Sequence, residues 1–218
     1  DARGEPEWVP GRLRHVKGIG WFIPEYGIAQ VSLNLTNIRE TPVHVAFEET
    51  ARAADERGVR VTGSELVGLI PLEAMLEAGR YFLRKQRRST GVSEAELVRT
   101  AVRSLGLSDL APFDPDQKII EYRLRAPGQR PLADLTLEAF AEMLASESPA
   151  PGGGSSAAYV GALGAALGTM VANLSAHKRG WDDRWATFSD WADRGQAHLR
   201  TLLALVDDDT RAFNALMA

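Results

Sequence analysis

Hydrophobic positions in the first part of the chain predict a β-hairpin followed by mixed elements. Residues 12–23 and 28–36 read as two strands joined by a Pro-Glu-Tyr-Gly turn. The second strand alternates cleanly, so Val31, Leu33 and Leu35 are expected to face a core while the residues between them face outward.

Two further extended segments and three helices complete this part. The extended segments are expected at 59–70 and 118–124. The helices are expected at about 41–57, 71–85 and 93–105, because each starts at a proline or a Ser-x-x-Glu capping box and ends at a glycine or a basic turn. The resulting order is β-β-α-β-α-α-β.

From residue 132 onward the pattern is helical, with helices at about 136–147, 155–175 and 183–217 and no strand. The segment before it, 125–131, holds two prolines and a glycine and nothing apolar enough to bury. We therefore predict an α+β sheet domain in residues 1–125, a linker at 126–131 and an incomplete all-α helical domain in 132–218.

The charge-free segment 148–175 organises the second part. Gly152, Gly153 and Gly154 free the backbone, Ser155 can cap the first helical turn, and alanine and glycine then recur at helical spacing. Such a segment is either a membrane span with a small-residue dimer face or a soluble helix packed tightly against a neighbouring backbone. We favour the soluble helix, since the segment is poor in Leu, Ile and Phe. The free N–H groups of the turn can also bind an anion. A glycine-rich turn before a helix is by itself only weak evidence for an anion-binding site.

The net charge of the chain and its content of cysteine and histidine exclude several kinds of partner and site. A net charge of −4 gives no electrostatic case for a nucleic-acid partner, and the absence of cysteine excludes disulfides, thiolate nucleophiles and Cys-type zinc sites. The four histidines have no metal-ligand spacing, so no metal site is expected. The polar opening residues show no signal peptide, which favours the cytoplasm.

The last helix carries the best chemical clue. Its apolar stripe runs through Val206 and Phe213, and Asp209 falls between them at a position that calls for a hydrophobic residue. A carboxyl group on a buried stripe is a candidate acid or base. The alternatives are that the stripe rotates or that Asp209 caps a neighbouring helix. Asp207 has Arg211 four residues later and is expected to form a surface pair.

A basic run, His177-Lys178-Arg179, follows the Gly/Ala helix. Cations at a helix C-terminus suit the helix dipole, and this is the interpretation we favour from the sequence. The same residues can also bind a polyanionic ligand.

Several long motifs carry a resemblance to known families. Within residues 12–124, the stretches GRLRHVKGIGW, QVSLNLTN, TPVHVAFEE, VTGSELVGLIPLEAML and SLGLSDLAPFDPDQKIIEYRL resemble the C-terminal subdomain of glutamate formimidoyltransferase. Within 132–218, LTLEAFAEMLASESPAPGGGSSAA, GALGAALGTMVANL and LVDDDTRAFNALM resemble the formimidoyltetrahydrofolate cyclodeaminase and methenyltetrahydrofolate cyclohydrolase family. Their order resembles the fused bifunctional family of histidine breakdown.

This resemblance implies two linked reactions. A formimidoyl group moves from N-formimidoyl-glutamate to tetrahydrofolate, and the 5-formimidoyl group then closes onto the folate with loss of ammonia, giving 5,10-methenyltetrahydrofolate. The expected co-substrate is tetrahydrofolate, as a polyglutamate, with no metal, and the full enzyme is expected to be a cytoplasmic homo-oligomer without a membrane or nucleic-acid partner.

The resemblance also implies site residues. Folate contacts of the transferase half correspond to Leu13, Arg14 and His15, of which His15 departs from the basic residue that the family often carries. The cyclodeaminase aspartate corresponds to Asp207 or Asp209, and the stripe favours Asp209. Lys178 and Arg179 match a basic segment that would bind folate carboxylates.

Three alternatives remain open at this point. The family's transferase histidine has no counterpart here, so the chain is expected to be an internal fragment with two half-sites. The helical part alone is compatible with a methenyltetrahydrofolate cyclohydrolase-type activity. The piece is also compatible with a non-catalytic folate-binding or assembly module.

Overall fold

The computed structural model describes residues 10–125, 128 and 130–217, which form two compact units. The first unit comprises the described residues up to Tyr81 together with Val98–Tyr122. The second comprises Phe82–Leu97 and the described residues from Arg123 onward. Part of the predicted linker, at 126, 127 and 129, lies outside the described residues, so the domain boundary at 126–131 stays a prediction.

The predicted hairpin is present in the first unit. Strands β1 (Val16–Ile23) and β2 (Ile28–Leu35) pair antiparallel, and Gly27 adopts a positive φ of 62° in the turn. The expected core face is formed only in part, because Leu33 is half-buried whereas Val31 is 54% exposed.

Helices supply the core of the first unit. The helices that lie wholly or mostly in this unit are α1 (Val43–Asp55), α2 (Leu72–Lys85), α3 (Glu94–Leu105), α4 (Pro115–Lys118) and α5 (Ile120–Arg123). Met75, Leu105 and Ile119 are fully buried, so α2, α3 and the α4–α5 junction each contribute a side chain to the core. Helix α3 begins with the predicted capping contact, in which the Ser93 hydroxyl oxygen accepts from the Glu96 N–H at 3.2 Å.

The prediction of strands at 59–70 and 118–124 is wrong. Ile70 and Ile119 form a single parallel bridge, and residues 118–124 belong mainly to α4 and α5. The segment 59–70 bonds to loops instead of a ladder, since Ser64 N–H donates to the Gly106 carbonyl at 3.0 Å. Gly68, at a φ of 88°, breaks the extended backbone further. The described chain is therefore mostly helical with one small two-stranded sheet, and not an α+β sheet domain of four strands.

Helices also build the second unit, as predicted. They are α6 (Leu137–Leu144), α7 (Gly153–Ala176), a 3₁₀ turn (Asp182–Arg184) and α8 (Trp185–Met217). Helices α7 and α8 form an antiparallel pair: the Ser155 hydroxyl donates to the Val206 carbonyl at 2.8 Å, and Gly161 packs on Leu202. Further along, Thr169 packs on Gly195. Small residues on both helices permit this close approach.

The expectation that α7 is tightly buried is wrong for one of its faces. Gly164 and Gly168 have open space where a side chain would lie, and Val160, Leu167 and Leu174 are at least 60% exposed. Alanine and glycine recur on both faces of α7, so their spacing alone does not identify the packed face. Within the described residues, α7 is the one helix that by length and composition alone is long and apolar enough to cross a membrane.

Candidate functional site

Asp209 lies near the end of α8, where α8 meets the first turn of α7. Its Oδ2 atom accepts the backbone N–H of Ser155 at 2.9 Å and the Ser155 hydroxyl at 3.1 Å. Ser155 is fully buried, whereas Asp209 is half-buried. The N–H groups in the first turn of a helix lack intrahelical acceptors, so Asp209 satisfies one of them and lies at the positive end of the α7 dipole.

The Gly-rich turn determines how close this carboxylate comes. Gly152 is the N-cap of α7 in an extended conformation, and no side chain caps the helix from that position. A Cβ atom on Gly154 would overlap the carboxylate of Asp209, whereas a Cβ on Gly153 would meet nothing within 4 Å. Ser155, which the sequence suggested as a cap, instead donates to Asp209 from inside the first turn. Only a residue without a side chain fits at position 154 beside Asp209.

Asp207 has a different environment. It is 3% exposed, and its two oxygens accept the backbone N–H groups of Leu132 at 2.8 Å and Ala133 at 3.2 Å. The expected surface pair between Asp207 and Arg211 is wrong, because the Arg211 guanidinium contacts Asp208. A buried carboxylate whose two oxygens both accept backbone N–H groups holds the loop at 132–133 in place.

A small apolar cavity lies beside Asp207. Its volume is about 40 Å³, and its lining includes Leu132, Phe140, Tyr159 and Val206. A single water needs roughly 10–15 Å³ of such volume, so the cavity admits a few waters but no folate ring system.

The predicted basic residues lie at the other end of α7. His177 is the C-cap, and the Lys178 ammonium lies 4.3 Å from the centre of the Trp181 ring. Partial desolvation, and then the nearby charge of Arg88, lower the pKa of His177 below its ordinary value of 6.5. Helix α7 has 24 residues, so at about 1.5 Å per residue its ends lie about 36 Å apart. Within one chain, Asp209 and Lys178 therefore belong to two separate regions.

The predicted folate segment in the first unit is held by its backbone. The Arg14 carbonyl accepts the Thr41 hydroxyl at 2.6 Å, and the His15 carbonyl accepts the N–H and hydroxyl of Thr36, each at 2.9 Å. His15 has a positive φ of 54°, and the side chains of Arg14 and His15 are exposed while Leu13 is half-buried. The backbone is fixed and the two polar side chains are left available for a ligand.

Sequence reasoning missed two buried polar features. His44 is 6% exposed and stacks on Tyr81 with ring centroids 4.3 Å apart, although the sequence places it in an ordinary amphipathic helix. The loop that contains Thr90 packs into the second unit, on residues about a hundred positions away, and no local pattern signals that contact. In the described part of the chain, no cluster of three or more His, Asp or Glu side chains has a geometry that would hold a metal ion.

Comparison with known proteins identifies two family regions. The family model described as "Formiminotransferase domain" matches residues 1–125, and the model described as "Formiminotransferase-cyclodeaminase" matches residues 136–218. The formimidoyltransferase-cyclodeaminase of Dictyostelium discoideum is 47% identical over 180 residues, covering 82% of this chain and 33% of the relative.

Two other relatives show how the similarity is distributed. The formimidoyltransferase-cyclodeaminase of Rattus norvegicus is 43% identical over 217 residues, covering 99% of this chain and 40% of the relative. The methenyltetrahydrofolate cyclohydrolase of Methylorubrum extorquens is 42% identical over 82 residues, covering 38% of this chain and 39% of that protein. The chain thus spans about a third to two fifths of the length of these relatives.

Proposed function

This chain belongs to the formimidoyltransferase-cyclodeaminase family, and from that premise we propose that it takes part in the folate-dependent one-carbon chemistry of histidine breakdown. The first reaction transfers the formimidoyl group of N-formimidoyl-glutamate to tetrahydrofolate. The second converts 5-formimidoyltetrahydrofolate to 5,10-methenyltetrahydrofolate and ammonia. Tetrahydrofolate, as a polyglutamate, is the co-substrate, and the proposed setting is a cytoplasmic homo-oligomer that requires no metal.

One observation supports a role for the second unit in cyclodeamination. The Asp209 carboxylate lies against the glycine turn of α7, half-exposed, and its Oδ2 atom accepts the Ser155 N–H and lies 3.1 Å from the Ser155 hydroxyl, whose single proton is shared with the Val206 carbonyl. A carboxylate that is held in one orientation beside a turn without side chains is suited to exchange protons with a bound ligand. General acid–base catalysis requires the acid or base to lie within hydrogen-bond distance of the group whose proton it transfers.

The proton inventory of cyclodeamination fits a single carboxylate. The second folate nitrogen attacks the carbon of the protonated formimidoyl group, –CH=NH₂⁺, and loses its own proton as a new carbon–nitrogen bond forms. The former imino nitrogen then gains that one proton and its bond to carbon breaks, so that ammonia leaves and the positive charge stays on the methenyl product. The apolar stripe marked Asp209 as a candidate acid or base, and we assign it the role of base because its Oδ2 atom already accepts the N–H of Ser155. Asp209 therefore first accepts the proton of the attacking nitrogen and then returns it to the departing nitrogen.

The structure supports a different role for Asp207. Both of its oxygens are occupied by the N–H groups of Leu132 and Ala133, so proton exchange at Asp207 would require opening the loop at 130–135. We assign Asp207 to the support of the site and Asp209 to the chemistry.

A second candidate function is a methenyltetrahydrofolate cyclohydrolase-type activity of the helical part. The 42% identity to the Methylorubrum extorquens protein, confined to 82 residues, favours it. The same fold can support either reaction, because function resides in the site and not in the fold.

The discriminating experiment supplies the full-length protein with 5-formimidoyltetrahydrofolate and records ammonia release together with the absorbance of the methenyl product. We expect both products in equal amounts. Hydrolysis of added methenyltetrahydrofolate without ammonia release from the formimidoyl substrate would favour the cyclohydrolase. Folate binding in calorimetry without either turnover would favour a non-catalytic binding or assembly module.

A further inference from the structure

The loop that follows α2 is anchored in the second unit by buried hydrogen bonds. The Thr90 N–H donates to the Ser189 hydroxyl oxygen at 2.9 Å, and the Thr90 hydroxyl donates to the Asp193 carboxylate. Thr90 and Ser189 are at most 5% exposed. Hydrogen bonds between buried groups are costly to break, so this loop has a fixed position on the first turns of α8.

The same loop is also fixed to the end of α7. The Asn173 side-chain amide donates to the Gly91 carbonyl at 2.8 Å, and a Cβ atom on Gly91 would overlap the backbone of Ala192. The loop backbone thus lies between the last turns of α7 and the first turns of α8. No residue larger than glycine fits at position 91 without displacing α8.

This anchoring places two basic runs within a few residues of the same contact between Gly91 and Asn173. Arg87 and Arg88 directly precede the anchored residues, and Lys178 and Arg179 follow Asn173 by one turn and a half of chain. Partial desolvation lowers the pKa of His177, and the positive charge of Arg88 lowers it further. The end of α7 and the loop after α2 therefore share one electrostatic environment.

The four cations of the two runs have no carboxylate partner among the ion pairs of the described residues. Nearby charges are the Asp193 carboxylate, which accepts the Thr90 hydroxyl, and those of Asp182, Asp183 and Arg184 in the 3₁₀ turn, the last three exposed. Lys178 is held over the Trp181 ring, a contact that orients an ammonium group while leaving its charge intact. Like charges that are held close together repel one another, and a bound anion removes that cost.

We propose that Arg87 and Arg88 of the loop after α2 join Lys178 and Arg179 in one anion-binding surface, which takes a multivalent carboxylate or phosphate. Residues 87–88 lie in the transferase-family region and residues 178–179 in the cyclodeaminase-family region, so the surface combines both. The proposal extends the assignment of Lys178 and Arg179 to folate carboxylates and in that respect rests on the proposed function. It is independent of the chemistry at Asp209, which lies at the other end of α7.

Calorimetry on the full-length protein tests the surface without turnover. The probes are triglutamate and tripolyphosphate, with acetate at matched ionic strength as the reference. We expect saturable binding of at least one multivalent probe to the unmodified protein. The affinity for that probe should be about tenfold weaker in Arg88→Gln, because a charge-assisted hydrogen bond is lost. Arg88→Lys should restore most of the affinity. Tighter binding of triglutamate identifies a carboxylate ligand, and tighter binding of tripolyphosphate identifies a phosphate ligand.

The matched control is Arg200→Gln, which removes the same charge from an exposed position near the middle of α8. We expect its affinity for the probes to equal that of the unmodified protein. Equal weakening by Arg88→Gln and Arg200→Gln would show that only overall charge matters and would overturn the proposal. Heat no larger than that of acetate would overturn it as well.

His177 provides a second, independent signal. Its carbethoxylation by diethylpyrocarbonate, followed by mass spectrometry across a pH series, reports the fraction of neutral imidazole. A bound anion offsets the charge of Arg88, so the probe should shift the His177 profile to higher pH in the unmodified protein and less in Arg88→Gln. A profile that does not move with saturating probe would place the anion elsewhere and contradict the proposed surface. Loss of proton transfer at Asp209 would leave both measurements unchanged, which separates this proposal from the proposed activity.

Discussion

The carboxylate of Asp209 occupies the space that a side chain at Gly154 would need. Helix α7 begins at Gly153, so this contact joins the first turn of one long helix to the end of the other. The two positions are 55 residues apart in sequence, and their contact explains why position 154, in the first turn of α7, is a glycine.

Replacing Gly154 by alanine should displace the Asp209 carboxylate from the Ser155 N–H. We expect the free energy of unfolding to fall by about 1–3 kcal/mol, as for overpacking, together with loss of cyclodeamination in the full-length protein. Thermal unfolding and ammonia release measure the two effects. Gly153→Ala is the control, because its added methyl group meets open space. Equal behaviour of the two variants would contradict the close contact.

Asparagine at position 209 tests the proposed chemistry. Asp209→Asn keeps the shape and an acceptor for Ser155 but removes the base, so single-turnover formation of the methenyl product should slow by about 10²–10⁴-fold. Formimidoyl transfer should remain. Asp207→Asn should instead lower stability by about 1–3 kcal/mol, since one buried N–H of Leu132 or Ala133 loses its acceptor, with the chemical step retained in folded protein. The reverse pattern would assign the reaction to Asp207.

An added methyl group should stabilise the protein on the open face of α7 and destabilise it where α7 contacts α8. Gly164→Ala should raise the free energy of unfolding by about 0.5–1 kcal/mol, because alanine favours a helix and position 164 is open. Gly195→Ala, across the packed face, should lower it by about 1–3 kcal/mol by overlapping the Thr169 side chain. Chemical denaturation of the 218-residue chain measures both. Destabilisation by Gly164→Ala would mean that this face is covered in solution.

Arg87 holds a backbone conformation that favours glycine. Its φ is 54°, and the Arg88 N–H donates to the Leu83 carbonyl at 2.8 Å, which is the hydrogen bond of a Schellman motif at the end of α2. Arg87→Gly should therefore raise the free energy of unfolding by about 0.5–1 kcal/mol. Arg87→Ala removes the same charge without relieving the backbone and should give no such gain. A gain of equal size in both variants would attribute the effect to charge repulsion.

Protonation of His44 should destabilise the first unit in mild acid. Burial lowers the pKa of His44 below its ordinary value of 6.5, and the charges of Glu77 and Glu48 only partly oppose this. The folded state then binds fewer protons than the unfolded state, so stability is complete above pH 6.5 and declines as the pH falls below it. His177, whose pKa is also lowered, adds a smaller effect in the same pH range.

The measurement is the pH dependence of thermal unfolding between pH 5 and 8. His44→Phe keeps the ring stacked on Tyr81 without a titrating group, and its unfolding should depend less on pH than that of the unmodified chain. His177→Gln separates the second contribution. An unchanged pH dependence in His44→Phe would show that His44 titrates alike in both states.

Local signals in the sequence predicted the helices well. The capping serine of α3 and the proline before α1 mark real helix starts, because caps and helical periodicity act within a few residues. The segment 59–70 was mistaken for a strand because its apolar residues alternate, although Val67 is 86% exposed. Alternating apolar residues show only that a segment can adopt an extended conformation. A β-strand also needs a neighbouring strand to bond with, and the pattern within one segment does not reveal whether that strand exists.

Long-range contacts decided the rest of the site. Periodicity suggested either a buried stripe at Asp209 or a cap on a neighbouring helix, and the half-buried Asp209 accepts the N–H of Ser155 in the first turn of α7, as a cap does. Asp207 looked exposed because Arg211 follows at helical spacing, whereas its partners Leu132 and Ala133 lie about 75 residues earlier. Such contacts depend on how the helices are arranged in space, and no pattern within one helix encodes that arrangement.

The anchored loop after α2 has a consequence for how the two family regions could be separated. The first region extends to residue 125 by similarity, but its residues Phe82–Leu97 are part of the second structural unit. A gene divided after residue 125 would place Thr90 and Gly91 on a different chain from their hydrogen-bond partners Asn173, Ser189 and Asp193. The surface of Ala192 that Gly91 covers would then be exposed. Separate expression of the two family regions would therefore leave polar groups of α7 and α8 without the partners that they have in the joined chain.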